Sequence, residues 1–471
     1  MSTYKAVIVG GGPSGHSAAV RIAQLGGRVA LVERDFIGGI CTNWGCTPSK
    51  AMIESAKVAQ VVNESARYGI HSGGAQVDFE RVAARRDEVI QNTRAAITDL
   101  LLHHKVDLYQ GEGVIESPGS VLVRMGKLDA DGISMHYDGK ETVLQTENVI
   151  ISTGSQPLLP SFVNQNDPSI VSSNRLISIR ELPKTLTIVG GGVIGLEFAT
   201  IFSNLGSQVT IVEFLDRVLA LMDADISAEI TRILENKGVR ILTSHKVTAI
   251  ENGVLKAEDL QSGKQVEITS PMTLVAIGRQ AVVHAETYDR LGLKYSRKGV
   301  EVDDFLRTNV PGIWAVGDAT GRSILAHVGI QQGTIAAENI MKVAGAALRP
   351  MDYSVIPAVI YSFPEIVGVG SVPTDMANVQ VIKVPFSINL RASIEDYGDG
   401  FIKLWIRDHR ILAAQTIGHN ASEIMQEIAN MIALKTEISQ VAEIIHAHPT
   451  YAEIIHSALD AALGKAVDFY L

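Results

Sequence analysis

The feature that most constrains this chain is a glycine-rich strand–turn–helix signature that occurs twice. Residues 4–9 form a short apolar run ending in Gly10-Gly11-Gly12-Pro13-Ser14-Gly15. A helical pattern follows through Ala18, Ala19, Ile22 and Leu25, then a second apolar run over 28–32 that ends in Glu33. The unit returns at Thr185–Val189, Gly190-Gly191-Gly192-Val193-Ile194-Gly195 and Gln208–Val212, ending in Glu213. Gly10 to Glu33 and Gly190 to Glu213 span the same 23 positions. One such motif is weak, since glycine-rich turns are common; two in the same context with equal acidic spacing are strong. In each copy the first glycine makes the tight turn (Gly10, Gly190). The second lets backbone approach a pyrophosphate (Gly12, Gly192), and the third lets helix and strand pack closely (Gly15, Gly195). Glu33 and Glu213 would each accept from a ribose 2′-hydroxyl. A carboxylate at Glu213 repels a 2′-phosphate, and Arg217 is the only cation close by, so the second site is expected to take NAD.

Hydrophobic residues make up 46% of the 471, enough for a large core and two to four domains. The net charge of -10 leaves no polybasic footprint, which argues against nucleic acid and anionic membrane as partners. The N-terminal apolar stretch is too short for a signal peptide or a membrane span and reads as a buried strand. The expected compartment is therefore cytoplasmic. A polar helix is predicted over 79–104, a β-rich meander over 111–149, and a helix from His327 to Val343. Strands are predicted over 357–417, and amphipathic helices over 420–435 and 437–446.

The chain holds two cysteines, Cys41 and Cys46. A reducing cytosol keeps ordinary disulfides open, which argues against a structural staple and makes a catalytic disulfide the better reading. Residues five apart in a regular helix have Cα atoms roughly 8 Å apart, whereas a disulfide needs less than about 7 Å. The segment must bend, and Asn43 and Gly45 supply turn chemistry. Pro48 suits a first helical position with Thr47 as N-cap, so Cys46 is expected just ahead of a helix N-terminus, where a thiolate is favoured. Lys50 adds a positive charge. Two free structural thiols in a loop, or a metal site, are the alternatives; zinc wants three or four ligands and His71 is isolated.

With Ser152-Thr153-Gly154, Gly278-Arg279, Gly317-Asp318, Leu325-Ala326-His327, Pro357-Ala358-Val359 and His446-Ala447-His448-Pro449-Thr450 in order, the chain resembles the flavoprotein disulfide reductases over essentially its whole length. Among them it is most similar to the dihydrolipoamide dehydrogenases. The resemblance implies an α/β fold: two doubly wound dinucleotide-binding (Rossmann-like) domains plus a C-terminal α+β dimerisation domain. Its divisions would be 1–150 and 276–345 for FAD, 151–275 for NAD, and 346–471 for dimerisation. It further implies that Gly10, Gly12, Gly15, Glu33, Lys50, Thr153, Gly154, Asp318 and His327 serve FAD. Gly190, Gly192, Gly195, Glu197, Glu213 and Gly278 would serve NAD, and Lys50 would pair with Glu197. Cys41 would meet substrate and Cys46 would face the flavin. His448 of the partner subunit, oriented by Glu453, would be the acid/base of a homodimeric site. A histidine suits proton exchange with thiols. His446, His448 and His456 could instead mark a metal cluster, but no acidic or cysteine ligand in the sequence completes such a set, so no metal is expected.

The implied activity is oxidation of a protein-bound dihydrolipoamide, carried on a lipoylated protein or domain, with NAD as acceptor. Pro48-Ser49-Lys50 resembles the lipoamide enzymes more than the glutathione-type reductases. Departures from the lipoamide pattern are Ile40, Thr42, Trp44, Thr47, Ala281, Val282 and Val328, with Trp44 placed to reshape the surroundings of the cysteines. Two further readings are a reductase for another dithiol and a low-turnover redox-sensing subunit.

Overall fold

The computed structural model describes residues 3–128, 135–160, 163–164, 166–342 and 347–467. Its first sheet has seven strands in the order Ile313–Ala315, Val149–Ile151, Ala6–Val9, Val29–Glu33, Asp107–Ser117, Ser120–Leu128, Met135–Gln145. The first five run parallel and the last two turn back as an antiparallel meander. Ala6–Val9 is buried along its whole length, as a central strand covered on both faces must be. Pro13 opens the helix Pro13–Gln24 at a position where its missing N–H costs nothing, and Ala18, Ala19 and Ile22 pack onto the sheet.

The second sheet repeats this plan. Its order is Arg240–Leu242, Gln208–Val212, Thr185–Val189, Thr273–Val275, Ile170–Val171, all parallel. In both sheets the first strand of the unit is central, the second and third follow on one side, and the fourth lies on the other. In both, an antiparallel meander comes between the third and fourth strands. In the first unit the third strand runs on into it with Ser120–Leu128 and Met135–Gln145, and in the second it is a separate sheet of His245–Glu251, Val254–Asp259 and Gln265–Thr269. The glycine motifs thus mark only the start of a longer duplication.

The C-terminal part is an antiparallel sheet in the order Ala358–Ile360, Glu365–Gly370, Arg410–Gly418, Phe401–Arg407, Gln380–Pro385. Helices Ala421–Ala433 and Glu453–Ala462 bury Ile424, Met425, Ile428, Ile454, Ile455 and Leu459 in its core. Two expectations need correction. The span 357–417 also contains a short helix, Leu390–Ile394, started by Asn389, whose side chain accepts from Ala392 N–H. The helix expected over 437–446 covers only Ile438–Ala442; Ile444 and Ile445 are exposed, so a further turn would gain no burial from them. The helix expected from His327 runs Ala326–Met341. Its expected end at Val343 and the division at 345/346 lie outside the described residues. Among the described residues, no helix is long and apolar enough to cross a membrane.

One core is shared by all three parts. Met52, Ala56 and Ala59 of the helix Cys46–Asn63 pack with Leu196, Phe198 and Phe202 of the second unit and with Ile360 and Ile366 of the C-terminal sheet. The first glycine loop is equally tight. A Cβ on Gly15 would lie 1.9 Å from the Gly10 carbonyl oxygen. Gly15→Ala should therefore destabilise the first unit by about 2 kcal/mol or more, the upper range of overpacking in a rigid site. A fall in melting temperature, with weakened FAD retention, checks it; an unchanged melting temperature would show that the loop gives way freely.

Candidate active site

Each glycine loop is tied down by its own acidic residue. Gly11 N–H donates to Glu33 Oε2 (2.6 Å) and Asp35 N–H to Oε1 (2.7 Å). The second copy matches: Gly191 N–H donates to Glu213 Oε2 (2.5 Å) and Leu215 N–H to Oε1 (2.8 Å). Burial pushes the Glu33 carboxyl above its ordinary range, against the pull of those N–H donors. Equal spacing in the sequence thus reflects a second task, holding the loop, alongside the expected ribose contact.

Between the cysteines the chain bends as the spacing demands. A short helix, Gly39–Trp44, carries Cys41, and a second, Cys46–Asn63, carries Cys46. Gly45 joins them at φ −134°, ψ −108°. Thr47 is not the N-cap and Pro48 does not open the helix: Gly45 is the cap, and Cys46 itself stands in the first turn. Glycine can take the break alone, so the helix starts earlier than a proline-based reading places it. Asn43 is helical and not a turn residue. Its amide donates to the Phe36, Ile37 and Gly39 carbonyls, and it accepts from Arg94 at 2.7 and 3.1 Å. Arg94 also lies 3.8 Å from the Phe36 ring centroid. Trp44 packs against Phe36 and the shared core, so its bulk braces the bend from behind.

Both cysteines are free thiols, hydrogen-bonded to one another. That bond, with Lys50, lowers Cys46 to about 7 against the effects of burial and Glu197. The same bond, with burial, pushes Cys41 upward, so of the two Cys46 is the thiol that ionises near neutral pH. Lys50 Nζ lies 3.1 Å from both carboxylate oxygens of Glu197. Glu197, two residues past Gly195 on the helix Val193–Leu205 that the second glycine loop opens, thus also reaches the cysteine segment.

A second polar chain approaches from the strand pair Ser155–Pro157 and Arg279–Ala281. Arg279 Nε donates to Ser155 Oγ (2.9 Å), and Ser155 Oγ–H donates to Asp318 Oδ2 (2.5 Å). Burial raises Asp318, while Ser155 and Arg279 oppose the rise. Thr153 and Gly154 precede this strand, and Thr153 Oγ1 reaches the Val282 carbonyl at 3.4 Å. Gly278 precedes its partner strand at φ +134°. His327 lies in the first turn of Ala326–Met341, where burial lowers its imidazole and a bond to the Pro357 carbonyl opposes this.

His448 Nδ1 lies 2.8 Å from Glu453 Oε1, and Thr450 N–H fixes Oε2 at 2.7 Å. Burial would raise Glu453, but those two partners hold it below its ordinary range. This pair makes no hydrogen bond or ion pair with the cysteine segment of its own chain. Acidic partners do stand beside the other histidines: Glu427 beside His446 and Asp460 beside His456. Among the described residues they do not converge in threes on a metal-sized site.

The family model for pyridine nucleotide-disulphide oxidoreductases matches residues 4–333, and that of their dimerisation domain matches residues 356–459. The chain belongs to this family. Among curated relatives, the dihydrolipoyl dehydrogenase of Chlamydia pneumoniae is 36% identical, covering 96% of this chain and 95% of its own. The dihydrolipoyl dehydrogenase of Bacillus subtilis is 33% identical over 99% of both chains. Among solved structures, the HOCl-induced flavoprotein disulfide reductase RclA from Escherichia coli, as its Cu(II) complex, aligns with a TM-score of 0.85 at 26% identity. That alignment covers 98% of this chain and 100% of that one.

As a pyridine nucleotide-disulphide oxidoreductase the chain is an enzyme that uses FAD and NAD(H). The residues present fit both groups. A Cβ on Gly12 would meet nothing nearer than 3.9 Å and one on Gly192 nothing within 4 Å, so each loop is open where its helix begins. Beside the first loop a cavity of about 360 Å³ is lined by Glu112, Gly113, Thr153 and His284. Ser155, Arg94 and Tyr361 escaped the motif reading, because their partners are distant in sequence and carry no local spacing signal.

Proposed function

We propose that the chain is a dihydrolipoyl dehydrogenase working as a homodimer on a lipoylated protein in the cytoplasm, with NAD as acceptor. The observation that carries this reading is the His448–Glu453 pair retained alongside a dithiol whose Cys46 is poised as a thiolate. A redox sensor needs no general base. The proposed division is 1–150 with 276–345 for FAD, 151–275 for NAD and 346–471 for dimerisation. Return of Ile313–Ala315 to the first sheet supports it. A dithiol that must cycle belongs in a reducing compartment, which supports the cytoplasm.

FAD would be held by Gly10, Gly12, Gly15, Glu33, Lys50, Thr153, Gly154, Asp318 and His327, and NAD by Gly190, Gly192, Gly195, Glu213 and Gly278. When bound, FAD supplies two-electron exchange between the dithiol and the nicotinamide. The chain's own part begins with the oxidised pair. His448 of the partner subunit takes a proton from the substrate dithiol, with Glu453 fixing the imidazole's tautomer. The substrate thiolate bonds to Cys41 Sγ, the Cys41–Cys46 bond breaks, and Cys46 leaves as a thiolate. A low-pKa thiol is the better leaving group, and Lys50 holds its charge. The second substrate sulfur then displaces Cys41, and its proton ends on Cys41, giving substrate disulfide, the Cys41 thiol and the Cys46 thiolate.

NAD reduction measured with free dihydrolipoamide and with lipoylated carrier domains tests this. The reading predicts turnover with both and a higher kcat/KM on one carrier. Rates with every lipoyl substrate as low as with unrelated dithiols would sink it. Glu213→Gln removes the charge that opposes a 2′-phosphate and keeps one acceptor oxygen. The NAD-over-NADP preference should fall roughly tenfold or more, since a like-charge clash costs several kcal/mol; an unchanged ratio of kcat/KM values would place discrimination elsewhere.

A further inference from the structure

The corner around Lys50 contains one side chain that neither the motifs nor the proposed mechanism uses. Tyr361 follows the strand Ala358–Ile360 of the C-terminal sheet. Its backbone N–H donates to Glu197 Oε1 at 3.0 Å, and Lys50 Nζ lies 4.2 Å from its ring centroid. Each of the three structural parts thus contributes one residue: Lys50 from the first, Glu197 from the second, Tyr361 from the third. Ile360, just before the tyrosine, is buried in the core shared with the Lys50 and Glu197 helices, so the ring's place is set by packing. We propose that Tyr361 is a positioning residue, whose ring and backbone N–H hold the Lys50–Glu197 pair against Cys46.

The physical case rests on mobility and charge balance. Lys50 is a flexible cation with a third of its side chain exposed, and a symmetric contact to one carboxylate leaves its stem free to swing toward water. The electron-rich face of an aromatic ring adds a second attraction from another direction. The N–H donated to Glu197 takes up part of a negative charge that otherwise works against a thiolate. The ionisable groups facing this corner are Cys41, Cys46, Lys50, Glu197 and Arg279, with Glu365 and Glu423 also acting on the tyrosine. Of these, Lys50 is the cation whose distance from Cys46 depends on Tyr361. The phenol makes no hydrogen bond among the described residues, so the ring alone carries the side chain's contribution.

The inference rests on the dithiol reading of the site, but its test does not require lipoamide turnover. In the reduced FAD-containing dimer, the ultraviolet absorbance of the Cys46 thiolate is titrated with pH, taking the Cys46→Ser protein as baseline. Tyr361→Leu should raise the midpoint from near 7 by roughly half a pH unit to one unit. Tyr361→Phe should titrate as the native protein does. A Tyr361→Leu midpoint equal to the native one overturns the proposal, as does a Tyr361→Phe shift as large as that of leucine. Tyr361→Met, unbranched and more adaptable in shape, gives the same reading if the leucine variant does not fold. A native enzyme that titrates as described but fails to oxidise dihydrolipoamide would remove the functional proposal and leave this one standing.

Discussion

Cys46→Ser should lower dihydrolipoamide-driven NAD reduction by roughly three orders of magnitude or more, the scale of losing a group that forms and breaks bonds. Serine has nearly the same size, so the helix Cys46–Asn63, with Met52 and Ala56 in the shared core, should stay in place. What disappears is the poised thiolate. The hydrogen bond from Cys41 and the charge of Lys50 stabilise an anion at sulfur near neutral pH, and a hydroxyl stays protonated there. Without Cys46 no disulfide forms, and the substrate thiolate has no sulfur–sulfur bond to attack. NADH oxidation by an artificial acceptor, which bypasses the cysteines, should persist within a fewfold. Parallel loss of both activities would mean that the substitution had disrupted the fold or FAD binding, and lipoamide turnover within tenfold of native would rule Cys46 out of the reaction.

His448→Gln should cost about 10²–10⁴-fold in the same reaction, the usual contribution of a positioned general base. Glutamine keeps a polar contact to Glu453 but takes up no proton. The loss should fall on dihydrolipoamide oxidation and again spare the artificial-acceptor assay. The location of the base makes a sharper demand. His448 and Glu453 are bonded to each other and, among the described residues, have no hydrogen bond or ion pair with the cysteines of their own chain, so the proposed site joins the cysteines of one subunit to His448 of the partner subunit. Mixed dimers of Cys46→Ser and His448→Gln chains should therefore regain activity that neither parent shows, because one of their two sites has both groups intact. Mixed dimers as inactive as the parents would refute the intersubunit arrangement.

Much of this was legible in the chain because its physics is local. Gly10 and Gly190 carry the positive φ that only glycine adopts easily, and Glu33 and Glu213 lie one strand beyond, so regular spacing exposes both loops. The bend between Cys41 and Cys46 followed from bond geometry alone. The helix start was missed by one short step, because Gly45 breaks the chain before the Thr47-Pro48 signal takes effect. The meander at 245–269 and the helix Leu390–Ile394 are short elements whose patterns are weak without tertiary partners. Arg279–Ser155–Asp318 and Tyr361–Glu197–Lys50 join residues more than a hundred positions apart, and only the folded core brings them together.

The strand Ile313–Ala315 has a consequence for how such a chain is made. It completes the first sheet by pairing with Val149–Ile151, yet the whole second unit is translated between them. As the polypeptide leaves the ribosome, the second unit emerges complete while the first still lacks its last strand. Domains tend to fold as they appear, so the inserted unit reaches its native form ahead of the sheet that encloses it. A nascent chain stopped before residue 313 should present a finished second nucleotide fold attached to an open first sheet with an unpaired edge. That edge is what a chaperone would have to cover until the closing strand arrives.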